Sequence, residues 1–396
     1  MQINKTLSAT FVGALLLSSS IAQAWTHYGH IKYSFNYTDI PSDSVIYPDS
    51  GDQQSLNSLS LRLASEHKWN DFTAEIHYEI NALHSNNPDL VTGIDADKNR
   101  ALDLSSNIRD ENNDLQQHRI DRLSLAYSRD QLVVRLGRQA VSWGNGFVFH
   151  PMDIINPFDP VAIDKDYKTG DDMLYGQWLM DNGNDWQIMI LPRRNLSGDI
   201  DNDQASQAIK FHALTPKGDV DVLYARHYDQ AILALGYAKS IVDAVWRVDV
   251  SVTELSNQEK ITMLVTNLDY SWVWFEHNVY GFVEYFYNEL GETDFSLLPG
   301  AELSSRLLRG ELFTTAKHYL SSGLNIEMHP LVNLSPTVIV NLDDNSYLMP
   351  ITLNYNWTEN MVLKTSLIFS AGDSLSEYGG PASPGDQFNL LFTYYF

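Results

Sequence analysis

The sequence predicts an all-β chain, a transmembrane antiparallel barrel of about 18 strands, within about 16 to 20, with a loop folded into or over its interior. Three observations predict it. Segments whose side chains alternate between apolar and polar recur from Tyr28 to the chain end, the two-residue period of a strand. Their connections alternate between short turns and long loops, as in a barrel whose two rims differ. The last segment, DQFNLLFTYYF from Asp386 to Phe396, puts Phe388, Leu390, Phe392, Tyr394 and Phe396 on one apolar face. Gln387, Asn389, Leu391, Thr393 and Tyr395 form its mixed face.

Residues 1–24 carry Lys5, an apolar run from Ala9 to Leu17 and the ending Ala22-Gln23-Ala24. This pattern predicts an export signal removed before Trp25, leaving residues 25–396 as one barrel domain. No later stretch approaches the roughly 20 apolar residues of a membrane-spanning helix. Aromatic residues make up 12% of the chain, with 21 tyrosines, an excess that two belts at the bilayer interfaces would use. There is no cysteine, so a closed hydrogen-bond ladder has to supply what disulfides would. The formal charge of −24 argues against nucleic acid, whose phosphates demand basic surface, and fits acidic exposed loops.

Taken in order, Ile31, Tyr33, Phe35 and Tyr37 oppose Lys32, Ser34, Asn36 and Thr38. Phe72, Ile76, Tyr78 and Ile80 oppose Glu75, His77, Glu79 and Asn81. Leu123, Leu125 and Tyr127 oppose Arg122, Ser124 and Ala126, and Trp246, Val248 and Val250 oppose Arg247, Asp249 and Ser251. In a membrane barrel the apolar side faces lipid and the charged side lines the interior. Tight turns are expected at 68–71, 128–131, 181–184, 216–219 and 357–360, and long connections at 84–117, 139–169, 192–205, 289–308 and 372–385. Two termini at one rim require an even strand count. Reading 312–328 as a single strand that turns at 329–333 meets that requirement and leaves 342–345 at the far rim.

The most distinctive stretch is RLGRQAVSWGNGFVFHPMDIINPFDP, residues 135–160. Gly137, Gly144 and Gly146 admit tight or left-handed backbone, and Pro151, Pro157 and Pro160 forbid continued strand pairing. Trp143, Phe147, Phe149 and Phe158 are too apolar to lie in water, so the stretch is expected to pack against the wall or in the mouth. Its motif G-R-Q-x-V-x-W-G-x-G, carried by Gly137, Arg138, Gln139, Val141, Trp143 and Gly144 and followed by N-P-F-D-P, resembles a group of porin-like outer-membrane proteins. A more distant likeness is to polysaccharide-export barrels. The terminal strand looks like the closing strand of a bacterial outer-membrane β-barrel, which implies that the barrel-assembly machinery recognises Phe396.

These resemblances imply a channel or export component in the outer membrane, among lipid and lipopolysaccharide, with the inserted loop narrowing the pore. Arg138, Trp143, Asn145, Phe149, Asp153, Asn156 and Asp159 are its candidate constriction or plug residues. Export would add a periplasmic or inner-membrane partner. Lumen-lining candidates are Arg62, Glu66, Glu75, His77, Glu79, Arg119, Asp121, Arg122, Arg135, Arg247, Asp249 and Glu284. Both signs occur, so these side chains either pair across the interior or set which solutes pass. The alternative is a non-transporting scaffold, adhesin or receptor barrel with a sealed lumen.

Enzyme signals are weak: there is no G-x-S-x-G elbow, no H-E-x-x-H helix and no thiol. His318 with Ser321 or Ser322 is the one conceivable catalytic pair. Residues 95–99 have the D-x-D-x-N spacing of a calcium loop, but Arg100 stands where glycine is needed and Ser106 where glutamate is, so no metal or other cofactor is assigned.

Overall fold

Hydrocarbon offers backbone N–H and C=O groups no water to bond, so a sheet that spans a bilayer must pair each strand on both sides. In the computed structural model, which describes residues 25–44, 47–92, 95, 97–295, 299–383 and 385–396, the chain does this by closing on itself. The expected export signal lies outside the described residues. The first strands are β1 (Thr26–Asp39), β2 (Gln53–Trp69), β3 (Phe72–Ser85), β4 (Ser105–Glu111), β5 (Asp114–Arg129) and β6 (Leu132–Gln139). Next come β7 (Asp171–Leu179), β8 (Asp185–Arg194), β9 (Ile200–Thr215), β10 (Gly218–His227), β11 (Gln230–Ile241), β12 (Ala244–Glu254) and β13 (Lys260–Trp274). The last are β14 (His277–Asn288), β15 (His318–His329), β16 (Val332–Asn341), β17 (Tyr347–Thr358), β18 (Met361–Ala371) and β19 (Asp386–Tyr395).

All pairings are antiparallel, β3 pairs with β5, and β1 pairs with both β2 and β19, which closes 18 strands into a barrel. The closing seam runs from His30 opposite Tyr395 to Asp39 opposite Asp386. Gly29 and Phe396 extend it, each N–H donating to the other's carbonyl at 2.9 and 3.0 Å. On β2, Leu59 and Leu63 are 51% and 45% exposed, whereas Ser60 and Arg62 are 8% and 4% exposed. The apolar side therefore faces out and the polar side in. The expected short turns and both termini share one rim, and the 372–385 loop begins and ends where the sequence places it.

Three expectations are corrected. The connection expected at 84–117 contains β4, which lies outside the barrel circuit and pairs with the rim half of β5, where β6 is too short to reach. The expected loop 192–205 is a tight turn at 195–199: the Asn195 side chain accepts from the Ser197 and Asp199 N–H groups, so β8 and β9 continue almost to each other. The strand expected at 312–328 starts only at His318, because Ala301–Leu308 forms a helix and the following residues belong to the same rim connection.

One further departure places charge. His77 pairs with Arg122 but Tyr78 pairs with Ile120, so Asp121 is an extra residue in β5. This bulge switches the inward parity, and the consecutive residues Asp121 and Arg122 both become buried.

Closure needs Gly29: a Cβ there would lie 2.4 Å from the Arg62 carbonyl oxygen and 2.9 Å from the Phe396 ring. Gly29→Val is expected to destabilise the barrel by about 1–3 kcal/mol. The check is its urea midpoint, followed by the gel-mobility difference between folded and boiled protein.

Candidate functional site

Residues 140–170 leave β6, cross the barrel interior and return to β7 as a strap with two differently anchored arms. The outgoing arm is held by backbone and by packing. The N–H and side-chain amide of Asn145 donate to Asp249 of β12 at 2.6 and 2.7 Å, and Asn267 of β13 donates to the Asn145 carbonyl. Consecutive N–H groups of Phe147, Val148 and Phe149 converge on the Glu284 carboxylate of β14 at 2.6, 2.9 and 2.9 Å. The bend that aims them needs small residues: Gly144 has φ +96°, and a Cβ on Gly146 would sit 1.7 Å from the Phe149 oxygen.

Apolar side chains complete this arm. Phe149 stacks on Phe286 with ring centres 4.4 Å apart and packs against Tyr319. Trp143 donates to Gln187 at 2.7 Å and joins a buried cluster with Met152, Met173, Met189, Leu191 and Leu223. Where the strap meets β7–β11, the interior is thus packed with apolar side chains.

The return arm is held by charge. Lys32 of β1 bonds Asp164 at 2.7 Å and Asp166 at 2.8 Å, and Asp166 also accepts from Lys364 of β18 and the Tyr395 hydroxyl of β19. Burial alone would raise the Asp166 carboxyl, but Lys32 and Lys364 outweigh it and hold the group well below the usual carboxylate range. Its depressed value means that this anchoring is complete above the ordinary carboxylate range and fades only as pH falls through the lower, folded-state value. Tyr167 lies over the Arg62 guanidinium, with the carbon 4.3 Å from the ring centre. Asp153 and Lys168 form a buried pair inside the strap at 2.6 Å; burial pushes the Asp153 carboxyl up to about 6 and lowers the Lys168 ammonium.

Against the return arm stands a charged wall built by β2, β3 and β5. Arg62 bonds Asp121 at 2.7 Å and Glu79 at 3.3 Å, Arg119 bonds Glu79 at 2.7 Å, and Arg122 bonds Asp121 at 2.7 Å and the Lys168 carbonyl. His77 lies 3.1 Å from Glu75. A cavity of about 390 Å³ separates wall and strap, lined by Lys32, Ser60, Arg62, Glu79, Arg119 and Tyr167 among others. A second cavity, of about 400 Å³, lies across residues 159–161 and borders Asp159.

The remaining expected residues take other places. Arg138 belongs to β6 and shares a face with exposed Leu136 and Leu174, so it points away from the interior. It is 0% exposed because residues 97–104 fold over it: it bonds Asp97, Asp172 and the Leu102 and Ile120 carbonyls. Both Asp97 oxygens are taken by Arg100, Arg138 and the Leu104 N–H. Glu284, expected to line a watery lumen, anchors the strap instead. Arg247 pairs with Asp269 and lies over Phe147, while Arg135 is half-buried opposite Tyr175. Asn156 donates to Asp171 at 3.0 Å. His318 bonds Tyr285 at 2.8 Å, and neither Ser321 nor Ser322 shares that bond. Sequence reasoning missed Lys32, Tyr167, Asp164 and Asp166; the signal was the charge alternation of DKDYK just before β7.

Glu284→Gln replaces an acceptor with a donor under three N–H groups, and each donor left unpaired costs about 1–3 kcal/mol. Trypsin is expected to cut this variant at Lys165 while sparing the parent protein under the same native conditions. Arg138→Met strands two carboxylates and is expected to cost about 3–5 kcal/mol, read as a lowered thermal midpoint.

No family model matches the chain, and no curated protein does either. Solved structures with a similar fold include OccAB2 of Acinetobacter baumannii, with 10% identity and a TM-score of 0.57 over 96% of this chain and 99% of that one. OccK9 of Pseudomonas aeruginosa gives 10% identity and 0.57 over 94% and 98%. OccK2 of the same organism, solved in complex with glucuronate, gives 9% and 0.53 over 94% and 98%. At such identities the likeness is one of fold, an 18-stranded closed barrel.

Proposed function

We propose that this chain is an outer-membrane channel, exported by its first 24 residues and inserted by the barrel-assembly machinery through its Phe396 end. In this reading small polar solutes pass through a lumen that the strap narrows. The observation that carries the proposal is the pair of cavities, about 400 and 390 Å³, separated by residues 159–164 of the return arm. The outgoing arm acts as the brace, leaving β1–β5 and β19 as the wet side. The full-length fold likeness to porins supports this reading. Paired charges on the wet wall keep its field mixed, so passage depends on size and on local contacts rather than on one sign of charge.

Catalysis is not part of the proposal, nor is a cofactor. The sealed-scaffold alternative draws its support from the near-complete burial of Arg62 and Asp121 in their ion pairs. Planar-bilayer recordings separate the two. The channel reading expects discrete openings, and Ala162→Trp, placed on the cavity wall, is expected to lower their conductance by about half or more. A protein that inserts and folds but gives no openings is a scaffold.

A further inference from the structure

The charges around the cavity of about 390 Å³ are already spent on one another. Lys32 holds Asp164 at 2.7 Å, Arg62 holds Asp121 at 2.7 Å, and Arg119 holds Glu79 at 2.7 Å. A charged solute gains a partner here only by breaking one of these pairs, which leaves a wall charge without its own. What remains unspent is neutral. The side chains of Ser34 and Asn36 on β1, Ser58 on β2 and Asn81 on β3 line the same cavity and make no hydrogen bond to another described residue.

These groups form one patch. Ser34 stands opposite Ser58, Ser60 opposite Asn81, and Asn81 opposite Gln117 of β5. Gln117 is 7% exposed, and its Oε1 is buried without a partner. Neighbouring side chains in such a patch stand about 5 Å apart across strands and about 7 Å apart along one, the scale of a single sugar ring. The other lining is apolar: Ala162 and Ile163 come from the strap, and Leu391 of β19 stands opposite Ser34.

Hydroxyls and side-chain amides each donate and accept, so the solute that uses them fully does both as well. A carboxylate only accepts and an ammonium only donates. A sugar carries hydroxyls around its edge and C–H groups on its face. Its edge matches the serine and asparagine patch, and its face matches Ala162, Ile163 and Leu391. The volume falls within the range of about 300–1,000 Å³ typical of small-molecule sites.

We infer that the solutes selected by this cavity are neutral sugars of monosaccharide size. The inference rests on the channel reading and adds a substrate class to it. Its test compares glucose, glucosamine and glucuronate, which share one ring and differ in charge. Uptake into proteoliposomes is followed over a range of concentrations, beside ion conductance in planar bilayers. The sugar site predicts glucose uptake that saturates and, at low concentration, exceeds that of both charged analogues severalfold. Ser58→Ala combined with Asn81→Ala removes two hydrogen-bonding groups and widens the cavity. This variant is expected to lose glucose uptake severalfold at low concentration while its ion conductance holds or rises. Uptake that stays linear in concentration, or that holds or rises in the widened variant, overturns the sugar site and leaves the channel standing. Openings with glucose uptake no faster than that of a charged analogue do the same. A folded protein without openings removes the channel and the sugar route together.

Discussion

Every strand of this wall has to hand its backbone hydrogen bonds to a neighbour, because the surrounding solvent accepts none. That demand brings the ends of the chain together, Gly29 against Phe396, and makes the 18-strand circuit close. It also sorts the side chains. Once alternate residues are committed to the outside, the other half must be accommodated within, whatever their chemistry. The interior answers in two ways. Beside β7–β11 it is packed with methionine, leucine and Trp143, and beside β2, β3 and β5 it is tied by guanidinium–carboxylate pairs.

The strap joins these halves and is built from both. Its outgoing arm gives backbone N–H groups to buried carboxylates, a contact with little freedom to shift, and covers them with aromatic rings. Its return arm relies on side-chain ion pairs, and Asp164 is 41% exposed. Exposed pairs contribute about 0–1 kcal/mol each and weaken with salt. The Lys32–Asp166 pair, at 7% and 23% exposed, is screened less than the one to Asp164.

Much of this was legible in the residues. Alternation names the outward face, turn chemistry finds the short rim, and the glycine and proline run of 135–160 marks a connection with its own packing. What could not be read has physical reasons. A strand pattern does not reveal whether its inward side meets water or another segment, so Glu284 looked like a lumen residue and Arg138 like part of the loop. A bulge leaves no trace in composition: the adjacent Asp121 and Arg122 both read as inward, which strict alternation forbids and only the extra residue in β5 allows. The turn at 195–199 reads as a loop because polar residues serve equally in turns and in strands above the rim.

The extra residue at Asp121 shows how such a wall stores information. Inside and outside are assigned by counting, much as codons are assigned by frame, and one added residue reverses the assignment for everything beyond it on that strand. In β5 the bulge absorbs that residue, and the pairing with β3 continues on both sides of it. Without such a bulge half of the strand would trade oil for water, so lineages of these barrels should vary in length at their rims and, within the staves, only where a bulge takes up the added residue.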